Sequence, residues 1–334
     1  MTTVIATQNL TKHYGHVHAL DGLDLTVEQG QVHGFLGPNG AGKSTTIRIL
    51  LGLARRTGGT ATVFGDDPWQ RAVDLHRRIA YVPGDVSVWP NLSGGEAVDL
   101  LARLRGARTK DDAYQHEKKR LSEAFQFDPR KKGRAYSKGN RQKVALIAAF
   151  AVPADLYILD EPTSGLDPLM AVIFQHEVAR ARANGATVLL SSHIMSEVEQ
   201  LCDRVSIIRA GRIVETGTLG ELRHLTRSDV SFTPSGATLA QVARIPDVHD
   251  PSLQGDRIRL AVDSDRTATV LPALAALGIT DLRVAPPSLE ELFLRHYGDD
   301  LATLETAEDG GAPSGADDSA PRTRRARRAQ SGRA

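Results

Sequence analysis

The pattern of apolar and polar positions predicts a chain that opens with paired strands and continues with alternating strands and helices. Residues 4–10 and 19–27 alternate apolar and polar side chains and are bounded by glycines, which predicts two antiparallel strands. The apolar run VHGFLG then precedes a helical pattern with Ile47, Leu50 and Leu51 on one face. Further strand-like runs, RRIAYVP, LYILDEP and ATVLLSSH, alternate with helical stretches. This order predicts an α/β fold with an open parallel sheet.

Three regions differ from this alternation. Residues of about 85–155 carry mainly helical patterns and separate two of the predicted core strands. Residues 228–297 follow the order strand, helix, strand, strand, helix, strand, helix, which predicts a small split βαβ domain. Residues 299–334 are rich in Gly, Ala, Asp, Ser and Pro, acidic up to Asp318 and then rich in arginine, which predicts a disordered tail.

Length and composition limit the class of protein. A chain of 334 residues is long enough for two domains, and a net charge of +1 gives no global field that would favour nucleic acid. The longest apolar run, VALIAAFAV, is far shorter than the ~20 residues that a membrane-spanning helix needs, so we expect any transport path to lie in another polypeptide. The single cysteine, Cys202, and an N-terminus without signal-peptide features predict a cytosolic protein.

The strongest local signal is a glycine-rich loop between the strand VHGFLG and the helix after it. Its glycines let successive backbone N–H groups approach a polyphosphate, and the helix directs its positive dipole end at the same anion. Lys43 is placed to reach the β- and γ-phosphates, and Ser44 to bind the Mg²⁺ that accompanies a nucleotide. A merely glycine-rich turn does not explain the complete G-x-x-x-x-G-K-[ST] spacing. The predicted nucleotide-binding residues of the loop are Gly37, Pro38, Asn39, Gly40, Ala41, Gly42, Lys43, Ser44 and Thr45.

Acidic and imidazole side chains follow two of the predicted core strands. The run LYILDEP delivers Asp160 and Glu161 at the carboxyl end of a strand, where ligands bind in open parallel sheets. After a phosphate loop, this pair predicts a metal-and-water site rather than ordinary strand capping. His193 ends the run ATVLLSSH at the same edge, so we favour a γ-phosphate contact over a purely structural role. Tyr14, in the turn between the first two strands, is a candidate either for stacking on adenine or for anchoring the hairpin.

Two serine–glycine stretches compete as a further phosphate contact. Within Leu92–Glu96, Ser93 and Glu96 have the S-x-x-E spacing of a capping box ahead of an amphipathic helix, so we interpret this stretch as a helix start. In YSKGNRQKVALIAAF, Ser137 and the backbone N–H of Gly139 lie at another predicted helix N-terminus and are placed to bind a phosphate.

With these motifs in this order, the chain resembles the ATP-binding cassette (ABC) ATPases over about residues 3–224. The resemblance implies a P-loop NTPase with an ABC-type core sheet, an antiparallel β subdomain and a helical subdomain at about 85–155. A small C-terminal α+β accessory domain, split βαβ-like, follows at 228–298. The glycine-rich loop corresponds to the Walker A motif, and Asp160 and Glu161 to Walker B.

The remaining motifs of that family also find counterparts. Tyr14 matches the adenine-stacking aromatic residue of that family. Ser164 to Asp167 match its D-loop, and His193 matches its switch histidine. Its signature motif maps onto Tyr136–Asn140, because the signature should lie some twenty residues before Walker B and Leu92–Glu96 lies too early. The match departs from the usual LSGGQ, since only the serine and the second glycine are kept, as Ser137 and Gly139.

In that family two copies bind head to tail, and the signature of each copy closes the Walker site of the other. The resemblance therefore implies a homodimer that binds ATP and Mg²⁺ and hydrolyses ATP. Glu161 would polarise the attacking water as general base, while Asp160 would hold Mg²⁺ through water together with Ser44. Lys43 and His193 would stabilise the charge on the γ-phosphate.

The stretch PSLEELFLRHYG resembles the C-terminal end of the drug- and antibiotic-export branch, whose ATPase and membrane subunits are separate chains. It implies the ATPase subunit of an exporter of a drug, an antibiotic or a lipid, at the cytoplasmic face of the cell membrane. The expected partners are a membrane permease and a second copy of the chain, and no nucleic acid. Two alternatives stay open: a generic regulatory or dimerising C-terminal appendage, and a soluble cassette ATPase that acts on ribosomes or DNA. The second is disfavoured by the single cassette and by the lack of a long coiled coil.

One position departs from the family. After IAYVP the family has a glutamine whose side chain reaches Mg²⁺ and the attacking water, whereas this chain has Gly84. Either the site works with one ligand fewer, or Asp85 supplies a carboxylate in its place. We favour the first, because a second carboxylate beside Glu161 would repel the γ-phosphate. Asp85 is then expected to face the partner subunit.

Overall fold

A computed structural model of the protein describes residues 2–224, 227–236 and 238–285. The helix predicted in PSLEELFLRHYG and the tail predicted at 299–334 lie outside these ranges. The strands are β1 (Thr3–Tyr14), β2 (Val17–Glu28), β3 (Val32–Leu36), β4 (Gly58–Val63), β5 (Ile79–Val82), β6 (Leu156–Asp160), β7 (Thr187–Ser192), β8 (Arg204–Arg209), β9 (Arg212–Thr218), β10 (Arg227–Pro234), β11 (Val248–Gln254), β12 (Arg257–Asp263) and β13 (Ile279–Ala285). The helices are α1 (Lys43–Leu50), α2 (Ala72–Arg78), α3 (Gly94–Leu104), α4 (Asp112–Ala124), α5 (Lys138–Phe150), α6 (Pro168–Ala183), α7 (Met195–Leu201), α8 (Leu219–His224), α9 (Leu239–Val242) and α10 (Thr267–Ala275).

The largest sheet has six strands in the order β5-β6-β7-β3-β8-β9, and all of them are parallel except β9. Its central strands β3, β6 and β7 are buried along their whole length because both faces are covered. On β6, Tyr157 and Leu159 pack into one core cluster with the helices α5 and α6, whereas Leu156 and Ile158 pack into a second cluster with α1. The predicted open parallel sheet is confirmed.

The register of this sheet sets the position of the loops that follow its strands. Leu36 at the end of β3 pairs with Ser192 of β7, and Asp160 at the end of β6 pairs with Ser191. The carboxyl ends of three neighbouring strands therefore lie at one edge. The glycine-rich loop, the carboxylate pair and His193 follow these ends directly.

A three-stranded antiparallel sheet, in the order β2-β1-β4, covers one side of the core. Ile5 pairs with Val27 on one neighbour and with Val63 on the other, and all three side chains are buried. They share a core cluster with Ile47 and Leu50 of α1. The two antiparallel strands predicted at the start of the chain are confirmed.

Helices α3, α4 and α5 form the predicted helical region and share a core that contains Val98, Leu121 and Val144. Arg120 of α4 also donates hydrogen bonds to both carboxylate oxygens of Glu177 on α6, each at 2.7 Å. Within the described ranges, no helix is long and apolar enough to span a bilayer.

The C-terminal region forms a separate four-stranded antiparallel sheet in the order β11-β12-β10-β13, with α9 and α10 in the connections. Two strands joined through a helix are kept apart by a third strand inserted between them, which is the split βαβ arrangement. Val230, Phe232 and Leu260 form its core with Val270 and Leu274 of α10. The predicted accessory fold is confirmed, while the domain boundaries at 224 and 228 stay predictions.

Candidate nucleotide-binding site

The glycine-rich loop has a backbone that only glycine adopts readily at two positions. Gly40 and Gly42 have φ values of 84° and 115°, which lie in the left-handed region. A Cβ at Gly42 would also lie 2.8 Å from the carbonyl oxygen of Ala19, so the loop passes close to the antiparallel sheet. Gly42 is the N-cap of α1 and no side chain caps that helix. The N–H groups of its first turn have no intrahelical acceptor and are suited to an anion.

Lys43 brings a positive charge into this loop. Its side chain is only 6% exposed, and its ammonium donates hydrogen bonds to the carbonyl oxygens of Gly37 and Pro38, the latter at 3.1 Å. Burial lowers the pKa of Lys43, while the charges of Glu161 and Asp160 act in the opposite direction. The ammonium lies 3.8 Å from Oε1 of Glu161. The loop and the carboxylate pair therefore form one charged site.

Asp160 is buried and is held by two hydroxyl groups. Ser44 donates to its Oδ2 at 3.1 Å, and Ser191 of β7 donates to its Oδ1 at 2.9 Å. Both carboxylate oxygens are therefore fixed in orientation. Ser191 was not predicted from the sequence, because its contact with Asp160 depends on the register between β6 and β7.

Glu161 extends beyond the end of β6 in a left-handed backbone conformation, with φ 50°. Its N–H donates to the carbonyl oxygen of Ser191 at 2.9 Å, which keeps the backbone in the sheet register. Its Oε2 is in hydrogen-bond contact with Nδ1 of His193, whose side chain is 58% exposed. The Glu161 carboxylate thus lies between the ammonium of Lys43 and the ring of His193.

These residues surround an open cleft of about 480 Å³. Most of the predicted loop residues line it, together with the carboxylate pair, Ser164, Gly84 and Asp85. The cleft is also lined by four residues that were not predicted from the sequence, Ala19, Arg48, Tyr81 and Pro83. Arg48 follows Ser44 by one helical turn on α1, so helical spacing was an available signal.

Tyr14 and His193 are not among the residues that line this cleft. His193 reaches it through Glu161. Tyr14 ends β1 with 47% of its surface exposed, and the ammonium of Lys12 lies 4.6 Å from its ring centroid. Stacking of Tyr14 on adenine stays a prediction.

The stretch Leu92–Glu96 starts a helix, as its spacing predicts. Ser93 donates its N–H to Oε2 of Glu96 at 2.6 Å, and its hydroxyl accepts from the N–H of Glu96 at 3.2 Å. This reciprocal pair is a complete capping box on α3. Gly94 packs against Tyr136, since a Cβ there would lie 2.2 Å from the Tyr136 hydroxyl.

Ser137 and Gly139 start α5 beside the loop that follows Glu161. The hydroxyl of Ser137 caps the helix by accepting from the N–H of Asn140 at 3.3 Å. A Cβ at Gly139 would lie 2.4 Å from the carbonyl oxygen of Gly165, so this position requires the close approach that glycine permits. Neither residue lines the cleft of its own chain.

The other predicted loop residues also have defined contacts. Asp167 caps α6 by accepting from the N–H of Met170 at 3.0 Å, and Pro168 occupies the first turn. The hydroxyl of Ser164 accepts a hydrogen bond from the ammonium of Lys138 at 2.8 Å.

The chemistry of this cleft suits a nucleotide with its cation. A buried ammonium and an uncapped helix N-terminus favour a polyphosphate. The adjacent oxygens of Ser44 and Asp160 are hard ligands of the kind Mg²⁺ takes, and Mg²⁺ completes its coordination with waters and phosphate oxygens. In the part of the chain that the structure describes, no cluster of three or more His, Cys, Asp or Glu side chains could hold a metal ion. The Ser44 hydroxyl and the Asp160 carboxylate, which lie within hydrogen-bond distance of each other, fit a Mg²⁺ ion that is bound together with a nucleotide.

A family profile and individual known proteins both match this chain. The profile of the ABC transporter family matches residues 20–164. The daunorubicin/doxorubicin resistance ATP-binding protein DrrA of Streptomyces peucetius is 37% identical, over 92% of this chain and 97% of DrrA. The bacitracin transport ATP-binding protein BcrA of Bacillus licheniformis is 33% identical, over 89% of this chain and 98% of BcrA.

Solved structures share the fold of about two thirds of the chain. The ATP-binding subunit of an ABC transporter superposes with a TM-score of 0.62 at 31% identity, over 66% of this chain and 92% of that subunit. A dimeric ATP-binding cassette in a post-hydrolysis state, bound to ADP and Pi, superposes with a TM-score of 0.58 at 21% identity. It covers 64% of this chain and 98% of its own, and at this identity it supports the fold alone.

Proposed function

Because the chain belongs to the ABC transporter family and is one of its ATP-hydrolysing subunits, we propose that it drives export through a separate membrane subunit. Relatives that match it over almost their whole length are named for resistance to daunorubicin and doxorubicin and for bacitracin transport. An antibiotic or a similar drug is therefore the proposed class of transported substrate. The proposed location is the cytoplasmic face of the cell membrane.

The position of Glu161 between Lys43 and His193 is the observation that carries the proposed mechanism. A carboxylate fixed at the edge of a phosphate cleft can accept a proton from the attacking water as general base. Lys43 and His193 hold this carboxylate in place and are the groups we assign to the γ-phosphate charge.

Ser44 and Asp160 are the residues that would hold Mg²⁺. When bound, Mg²⁺ would neutralise phosphate charge and orient the phosphate oxygens. The hydrogen bond from Ser191 keeps the Asp160 carboxylate facing the Ser44 hydroxyl. The protein therefore presents two oriented oxygen ligands before the nucleotide arrives.

A second copy of the chain is the proposed partner for catalysis. Ser137 and Gly139 begin a long helix whose N-terminus suits a phosphate, yet they do not line the cleft of their own chain. We therefore assign them to the nucleotide of the partner in a head-to-tail dimer.

An apolar groove supports the membrane subunit as a further partner. It has a volume of about 330 Å³ and lies between β5 and the helices α3 and α5. Leu53, Trp89 and Leu104 line it and remain exposed. Exposed apolar side chains in one groove are typical of a contact with another protein. We propose that a cytoplasmic segment of the membrane subunit occupies this groove.

Reconstitution tests this proposal. The chain would be co-expressed with a candidate membrane permease and placed in vesicles, and ATP-dependent movement of doxorubicin or bacitracin would be measured. Wild type should move drug at the expense of ATP, and Glu161→Gln, in which the base is lost, should not. ATPase activity that responds to ribosomes or DNA, and not to the membrane protein, would contradict the proposal.

A further inference from the structure

We infer that Lys138 is a positioning residue that couples the two ATP sites of the proposed dimer. It would do so by tying the helix that serves the partner's nucleotide to the loop that carries Glu161 in its own chain. The inference rests on the proposed function, because it requires Ser137 and Gly139 to act on the partner. It concerns a residue at which this chain has lysine where the usual signature, LSGGQ, has glycine.

The contact that carries this inference joins α5 to the loop after β6. Lys138 is the first residue of α5, and its ammonium donates to the hydroxyl of Ser164 at 2.8 Å. A hydrogen bond with one charged partner is stronger than a neutral one, so Ser164 gives the ammonium a defined position.

The backbone around this contact is closely packed. A Cβ at Gly139 would lie 2.4 Å from the carbonyl oxygen of Gly165, and a Cβ at Gly165 would lie 3.4 Å from Cγ and Cδ of Lys138. The aliphatic part of Lys138 therefore lies along Gly165 while its ammonium reaches Ser164. Gly165, with φ 81°, leaves room for this arrangement.

One turn further along α5, Gln142 makes a second contact with the same loop. Its side chain is buried and donates from Nε2 to the carbonyl oxygen of Pro162 at 2.9 Å. Lys138 and Gln142 are four residues apart and so lie on the same face of the helix. The loop between Glu161 and α6 is therefore attached to α5 at two points, one buried and one exposed.

The loop passes this attachment on to Glu161. The N–H of Ser164 donates to the carbonyl oxygen of Glu161 at 3.1 Å, and Ser164 lines the cleft together with Glu161. A shift of the α5 N-terminus, as Ser137 and Gly139 meet the partner's nucleotide, would therefore move Ser164 and the backbone of Glu161. Gln142 is buried, so its contact with the loop is fixed. The contact of Lys138 is exposed, so its side chain can follow a shift of the helix.

A double-mutant cycle in the full-length chain tests this role. Lys138→Met keeps the aliphatic part and removes the charge, while Ser164→Ala removes the acceptor. We expect Lys138→Met to lower kcat by roughly tenfold, about the effect of losing one hydrogen bond to a charged group. The KM for ATP should stay unchanged, and the dependence of the ATPase rate on ATP concentration should become nearly non-cooperative. Because the two residues act through one contact, the double variant should be no slower than the slower single variant.

Three controls separate the possible outcomes. Lys131→Met removes an exposed lysine of the same helical region and should leave kcat and cooperativity unchanged. Lys138→Arg should restore most of the activity, because a guanidinium can also donate to Ser164. Glu161→Gln alone should trap ATP in a dimer, and if it does not, the proposed function fails. If it does, but Lys138→Met and Ser164→Ala are additive or Lys138→Met raises KM alone, only the inference about Lys138 is overturned.

Discussion

Ser191 contacts both acidic residues of the site: its hydroxyl donates to Oδ1 of Asp160 at 2.9 Å, and its carbonyl oxygen accepts from the N–H of Glu161 at 2.9 Å. One residue of β7 therefore fixes the side chain of the first carboxylate and the backbone of the second. The backbone contact does not involve the side chain at position 191, whereas the hydroxyl contact requires the serine.

Ser191→Ala should therefore raise the Mg²⁺ concentration needed for half-maximal ATPase activity. It frees one oxygen of the buried Asp160 and leaves that oxygen without its donor, at an expected cost of about 1–3 kcal/mol of stability. Mg²⁺ titration of ATPase activity and chemical denaturation measure the two effects. Ser192→Ala, the neighbouring serine of the same strand, is the control, because its hydroxyl contacts Glu197 and not Asp160. An unchanged Mg²⁺ dependence would show that the Ser191 hydroxyl does not position Asp160.

Glu161→Gln should leave ATP binding intact and remove turnover. A general base typically contributes ~10²–10⁴ in rate, and a glutamine side chain cannot accept the proton. An ATP-bound dimer should then accumulate, which size-exclusion chromatography with and without ATP detects. Turnover at the wild-type rate would mean that Glu161 is not the base.

Two N-cap serines offer a matched test of the signature assignment. Ser93→Ala and Ser137→Ala each remove a helix cap, so each should cost about 1 kcal/mol of stability. Only Ser137→Ala should also lower kcat, because we assign Ser137 to the partner's nucleotide. Equal thermal shifts with unequal kcat values support the assignment. A loss of kcat in Ser93→Ala, with Ser137→Ala unaffected, would reverse it.

The ion network between α4 and α6 gives a pH-dependent prediction. Hydrogen bonds from Arg120 and Arg180 lower the pKa of Glu117 to about 2 despite partial burial. Because this pKa lies below the ordinary value of 4.5, the resulting stability is complete above about pH 4.5 and is lost as the pH falls through about 2.

Glu117→Gln should accordingly lower the free energy of unfolding by about 2 kcal/mol at pH 7, after allowance for solvent screening. The difference from wild type should shrink steadily below pH 4.5. Urea denaturation at a series of pH values measures it. Glu123→Gln on the same helix is the control, because its pair with Lys119 is solvent-exposed and contributes little. A difference that persists unchanged at pH 3 would rule out this electrostatic origin.

The parts of the site that short stretches of the chain determine could be predicted from the sequence. Lys43 and Ser44 follow from the loop spacing, and Asp160 and Glu161 from the end of an apolar strand. Ser191 escaped prediction because its contact depends on the register between β6 and β7, which the pattern of one strand does not specify. The contact between Lys138 and Ser164 joins positions 26 apart and depends on backbone packing, so spacing alone could not reveal it.

The strength of the apolar pattern also determined which helices could be predicted from the sequence. Helices α3 and α5 were identified because their apolar positions recur with helical spacing. Helix α2 was not identified, since only Leu75 of its seven residues is buried and the pattern is therefore too weak to detect.

Because Gly84 has no side chain, the question is whether its neighbour Asp85 binds Mg²⁺ in place of the family's glutamine, and a single variant can answer it. A Cβ at Gly84 would lie 3.3 Å from the carbonyl oxygen of Asp160 and 3.5 Å from Cβ of Glu161, so this position lies directly against the carboxylate pair. Asp85 lines the same cleft and is exposed.

If Asp85 were a Mg²⁺ ligand, its removal would weaken Mg²⁺ binding directly. We expect instead that Asp85→Ala changes the Mg²⁺ dependence of the isolated ATPase little, because a further carboxylate beside Glu161 would repel the γ-phosphate. The same variant should weaken the stimulation of ATPase activity by the membrane subunit, with Asp111→Ala, on the exposed start of α4, as the control. A large rise in the Mg²⁺ concentration for half-maximal activity of the isolated Asp85→Ala protein would instead identify Asp85 as the ligand that replaces the missing glutamine.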